Sequence, residues 1–118
     1  MIEIKKLWAT DISDETCAIV GLFHDVGKIG SSENPRYLKN DKGDYYYNKK
    51  QTEMSIAHKS LYLVNKYLSL TEEEAQAILY HDGQYIDENK FIAHKECRLT
   101  LLLTFADTWA AAQEENRR

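Results

Sequence analysis

The sequence predicts an all-α domain, and three observations carry that expectation. Apolar residues recur at three- and four-residue spacing through most of the 118 residues. Helix-start signals stand ahead of several of those stretches, the clearest being Thr71 followed by Glu74. One segment, 31–51, breaks the pattern, holding the single proline and four of the eight tyrosines. It reads as an insertion in a helical bundle, either a long loop or a small β-hairpin.

Taken in order, Ile2 to Ala9 ("IEIKKLWA") looks like the end of a helix. Residues 14–26 form the next, with Asp11 or Ser13 as N-cap and Gly27 as its stop. Its centre, "CAIVGLF", is apolar on every side and so belongs in a core. In "RYLKN-DKG-DYYYNK" two tyrosine-bearing arms flank a glycine turn, the pattern of a hairpin. Residues 53–68 place Met54, Ala57, Leu61, Val64 and Leu68 on one helical face. A third helix starts at the Thr71/Glu74 capping box, with Leu70 able to staple onto Ala75, and stops at Asp82-Gly83. A fourth runs from about Asn89 or Lys90 through Ala112, with Leu99, Leu102, Ala106, Trp109 and Ala110 on one face. The polar tail "QEENRR" is expected to fray.

Composition narrows the function classes. The chain has the length of one domain, 1–118, and 29% charged residues, an ordinary globular balance. A net charge of −4 argues against extended nucleic-acid binding. The longest apolar run, Cys17 to Phe23, is too short to span a bilayer, and no secretion signal opens the chain, so a cytoplasmic protein without membrane partners is expected. Cys17 and Cys97 form no CxxC pair and read as reduced, buried thiols.

Chemistry concentrates at helix ends. His24 and Asp25 close the apolar helix, His58 and His81 follow on later helices, and Asp107 sits within "LLLTFADTWAA". A carboxylate in such apolar company is costly to bury unless it is paired or holds a metal. Mixed imidazole and carboxylate ligands suit a divalent ion such as Mn, Fe, Ni, Co or Zn, and facing helices are a recurrent way to project them inward. Each residue alone is a weak signal; the joint pattern carries the expectation. His94 lies too far from Asp107 to share a site with it, and is expected to be exposed or capping. Arg98 is expected to pair with a glutamate.

"LFHDVGK", then "IAHKSLYLVNKYLSLTEEEAQAILYHDG" and "RLTLLLTFADTWAA", resemble the HD-domain superfamily of metal-dependent phosphohydrolases, in its short bacterial and phage form. The resemblance covers about residues 16–112 and implies a compact HD-domain helical bundle. It implies that His24, Asp25 and Asp107 bind a divalent metal ion (Mn, Fe, Ni, Co, Zn or Mg). It also implies that His58 and His81 serve a second metal or a substrate phosphate, and that Asp25 and Lys28 act in catalysis. The implied reaction is hydrolysis of a nucleotide or other small phosphoester through a metal-activated water. Tyr45 and Tyr46 are candidates for stacking on a substrate base, beside a purely structural reading that hairpin tyrosines equally allow.

The chain departs from the family pattern at one point. The family carries a histidine ligand on a helix before the doublet, and no histidine precedes His24 here. The expectation is a domain truncated at its N-terminus relative to the family, with exposed helix faces that favour a homo-oligomer. Two alternatives stay open: a weak or inactive HD module that binds a nucleotide or a partner protein, and an HD nuclease using the lysines of 39–50 on a short strand.

Overall fold

The computed structural model describes residues 1–8, 10–31, 34–84 and 86–116. Among these residues five helices and two strands follow one another: α1 (Ile2–Trp8), α2 (Asp14–Phe23), β1 (Tyr37–Lys39), β2 (Tyr45–Tyr47), α3 (Ile56–Asn65), α4 (Glu72–Tyr80) and α5 (Arg98–Asn116). Short 3₁₀ segments occupy Val26–Lys28 and Asp87–Ile92. Of the expected first helix, Ala9 lies outside the described residues, as do Arg117 and Arg118 of the expected fraying tail.

These elements correct the expectation of an all-α, compact HD-domain bundle. The chain is mostly helical, but it carries a two-stranded antiparallel sheet that pairs Tyr37 with Tyr47, Leu38 with Tyr46 and Lys39 with Tyr45. The sheet forms because Asn40 organises its turn. The Asn40 side-chain oxygen accepts the Lys42 and Asp44 amides at 2.9 and 3.0 Å, and Gly43 takes a φ of +88°. Nor is the chain compact. Its radius of gyration is 15.7 Å, against about 13.5 Å expected for a compact chain of this length. From Thr108 to Gln113 every residue of α5 is exposed, so the face expected there is buried only at Leu99 and Leu102. Trp109 is 63% exposed.

Helix boundaries also move, each for a local reason. Ser13, not Asp11, caps α2 by accepting the Thr16 amide at 3.1 Å, while Asp11 instead pairs with Arg98. The helix ends at Phe23 rather than at Gly27, because the 3₁₀ turn that follows is pressed against α3. A β-carbon at Gly27 would run into the Ile56 carbonyl and lie 2.8 Å from the Ser60 nitrogen. The Gly27 amide donates to Ser60 Oγ at 2.8 Å across that contact. Helix α3 begins three residues later than expected, since Ser55 accepts the His58 amide and caps it. In α4 the Thr71/Glu74 capping box forms in both directions.

The expected fourth helix is broken in two. Residues Asp87–Ile92 are 3₁₀, and His94, exposed, takes a left-handed φ of 65°. The restart is set from α4: Gln76 Oε1 accepts both the Cys97 amide at 2.8 Å and the Thr100 hydroxyl at 2.7 Å. One side chain thereby satisfies an N-terminal amide of α5 that has no partner within its own helix. The core gathers where α2, α4 and α5 meet, around Val20, Ala77, Ile78, Leu99 and Leu103. Cys17 is free and buried, whereas Cys97, packed against this cluster, is free and only half-buried, short of the burial expected for it. Among the described residues, no helix is long and apolar enough to cross a membrane.

Candidate metal centre

Two His-Asp doublets, His24-Asp25 and His81-Asp82, occupy equivalent places in the fold. Each histidine is the C-cap of its helix, α2 or α4. The last carbonyls of a helix lack intrahelical donors, and each imidazole supplies one. His24 Nδ1 lies 2.9 Å from the Gly21 carbonyl oxygen, and His81 Nδ1 lies 2.8 Å from that of Ile78. With Nδ1–H donating to those carbonyls, each ring turns the lone pair of Nε2 the other way.

Both Nε2 atoms face carboxylates. His24 Nε2 is 3.4 Å from Asp25 Oδ2 and 3.5 Å from Asp107 Oδ1. His81 Nε2 is 3.4 Å from Asp25 Oδ1 and 3.3 Å from Asp82 Oδ1. The two rings meet edge to face with centroids 4.7 Å apart. His24 Nε2 is buried without a hydrogen bond, the sole side-chain nitrogen or oxygen in that condition among the described residues. Acceptor facing acceptor at such range is unfavourable unless a cation lies between them, or unless the rings carry a second proton.

The charges around the centre favour a cation. Asp25, Asp82 and Asp107 bring three carboxylates, and among the described residues the one ammonium that pairs with them is Lys28, 3.3 Å from Asp25 Oδ2 and largely exposed. The carbonyl ends of α2 and α4 converge on the same place, adding their negative partial charge. Ligand atoms of His24, Asp25 and His81 lie within 4.8 Å of one another, as do those of His81, Asp82 and Asp107. Bonds of about 2.0–2.1 Å at tetrahedral angles place ligand atoms roughly 3.4 Å apart, which is the spacing of these contacts. The donor set therefore fits a borderline divalent ion, and anchoring of Nδ1 on carbonyls is how metal-binding imidazoles are commonly oriented.

The sequence-predicted residues divide. His24, Asp25, His81 and Asp107 come together, with Lys28 at the rim. His81 joins the same cluster as the first doublet, although the resemblance assigned it to a second metal or a phosphate. His58 is not brought in: it is exposed, and its Nδ1 lies 2.5 Å from Ser55 Oγ at the start of α3. Asp107 is less buried than its apolar neighbours suggest, its side chain 43% exposed. Desolvation is therefore not what marks it. Tyr45 and Tyr46 are exposed on β2, Tyr45 with Lys39 Nζ 5.8 Å from its ring centroid, and neither touches the cluster's ligands. Sequence reasoning missed Asp82. Its signal was present as the second doublet in "LYHDGQ", which repeats the order of "LFHDVG".

Comparison of the chain with protein-family models, with curated proteins and with solved structures finds no match.

Proposed function

We propose that this chain binds a divalent metal ion at His24, Asp25, His81 and Asp107, with Asp82 beside them, and hydrolyses a small phosphoester there. One observation carries the proposal: two histidines with Nδ1 held on helix carbonyls direct Nε2 at three carboxylates, 3.3–3.5 Å away. The motif resemblance to HD-type phosphohydrolases supports the choice of reaction, and the half-exposed Asp107 leaves the centre open to a substrate. A divalent ion bound here supplies Lewis acidity toward a phosphoryl oxygen and activates water at neutral pH. Asp25, shared between both imidazoles and Lys28, holds their positions and is placed to accept a proton from an attacking water. Lys28, free to swing from Asp25, offers its charge to phosphate oxygens as negative charge builds on them.

The test measures bound metal, melting temperature and turnover together. The purified chain is loaded in turn with Mn, Fe, Co, Ni, Zn and Mg and offered an aryl phosphate and a nucleotide panel. At least one ion is expected to raise the melting temperature and support turnover. Asp25→Ala and His81→Ala should abolish both effects, and His58→Ala should leave metal affinity unchanged. Binding without turnover would reduce the reading to a metal-binding module. Absence of any ion-dependent stabilisation would overturn it entirely.

A further inference from the structure

Away from the metal centre, Lys59 on α3 is 6% exposed, and no carboxylate among the described residues pairs with it. Its stem is packed away, as lysine stems commonly are on apolar surface, while its ammonium keeps contact with solvent. Beside the ammonium is the ring of Tyr62, whose centroid lies 5.7 Å from Lys59 Nζ. The same ring lies 4.7 Å from Lys66 Nζ. Two ammonium groups therefore share one aromatic ring, and among the described residues no acid pairs with either.

Both lysines line a cavity of about 280 Å³, together with Thr52 and Asn34. Asn34 Oδ1 accepts from Asn48 Nδ2 at 3.0 Å, so the amide nitrogen is the group Asn34 has to offer. Among the described residues, the walls of this cavity contain no carboxylate. A second cavity, of about 570 Å³, shares the walls at Ser31 and Leu63 and is bounded mainly by Ile19, Phe23, Val64 and Leu68, with Glu15 the one carboxylate on its lining among the described residues. Neither includes His24, Asp25, His81 or Asp107. The pair thus has a cationic end with hydrogen-bond donors and an apolar end, each of a size suited to part of a small molecule.

We infer that these adjoining cavities form a binding site, separate from the metal centre, for a small amphipathic anion. Its carboxylate or phosphate head lies against Lys59 and Lys66, and its apolar chain or ring fills the space between α2 and α3. An anion at the head position supplies a counter-charge to two ammonium groups that pair with no carboxylate among the described residues. The apolar end supplies affinity that a bare anion does not obtain.

Calorimetric titration of the full chain with decanoate and with decyl phosphate tests this, with decanol and inorganic phosphate as controls. Saturable one-to-one binding of at least one amphipathic anion is expected, tenfold or more tighter than either control. Preference between decanoate and decyl phosphate identifies the head group. Lys59→Met and Lys66→Met should each weaken binding about tenfold or more, whereas Asp25→Ala should leave it unchanged. Circular dichroism checks that the variants fold; if Lys59→Met does not, the exposed Lys66 decides the matter through Lys66→Met. Equal affinity for decanol and decanoate, no saturable binding at millimolar ligand, or native affinity in the folded lysine variants would overturn the site.

Discussion

Replacing Gly27 by alanine tests whether the contact between the 3₁₀ turn and α3 positions the metal centre. The added methyl group has no room. It meets the Ile56 carbonyl oxygen, the Ser60 nitrogen at 2.8 Å and Ser60 Oγ at 2.9 Å, and two of the three are backbone atoms that cannot rotate away. The turn and helix must separate, which stretches the 2.8 Å bond from the Gly27 amide to Ser60 Oγ. Overpacking of this kind costs about 1–3 kcal/mol, and a weakened buried hydrogen bond adds roughly 1 kcal/mol. A loss of about 2–4 kcal/mol follows, or a fall in Tm of about 8–15 °C for a domain of this size. Gly21→Ala provides the control. Its β-carbon meets only Met1 Sδ, at 3.6 Å, and within α2 alanine should stabilise by about 0.5–1 kcal/mol. Urea and thermal unfolding of both variants measure the two signs. Because Asp25 and His24 directly precede the turn, Gly27→Ala should also weaken divalent-metal binding. A Gly27→Ala protein within about 0.5 kcal/mol of native, a change typical of unconstrained sites, would refute the packing argument.

Further outcomes follow from one contact between helices and from the burial of the two thiols. Gln76→Leu removes the acceptor shared by the Cys97 amide and the Thr100 hydroxyl, and should cost about 1–3 kcal/mol in chemical denaturation. Hydrogen exchange should then show fraying concentrated at the start of α5. The two thiols should differ in reactivity: burial pushes the Cys17 pKa up despite the nearby Lys5 ammonium, so a disulfide reagent should label half-buried Cys97 well before it. A folded pKa above the unfolded one means that the Cys17 contribution is complete below the ordinary thiol pKa of about 8.5 and fades as pH rises through the folded value. Native and Cys17→Ala proteins, compared by unfolding at pH 7 and pH 10, should therefore converge as pH rises.

Much of the local structure was legible in the residues. Thr71 and Glu74 announced α4 because a capping box needs only four consecutive positions. Gly43 between tyrosine arms marked the turn, because a left-handed φ of +88° is open to glycine at no steric cost. Where contacts between distant residues decided, periodicity misled. The apolar rhythm runs through residues 89–112, yet Gln76, from another helix, sets the restart near Cys97. Similarly, the pattern carries α2 to Val26, while the approach of α3 to Gly27 ends it at Phe23.

The candidate site divides along the same line. The His24-Asp25 doublet, His81 and Asp107 were visible as residue types at helix ends or within an apolar helix, which is enough to suggest ligands. Which of them meet is a matter of tertiary packing. Asp82 enters because the ends of α2 and α4 converge, and His58 stays out because its ring is taken by the Ser55 cap. That Lys59 would be 6% exposed and pair with no carboxylate among the described residues was likewise not legible in the sequence. By itself the sequence determined helix propensity, the turn and the chemical kinds of side chain, since those depend on near neighbours. Only the tertiary structure decided which side chains share a site, because burial and counter-charge are set by segments far apart along the chain.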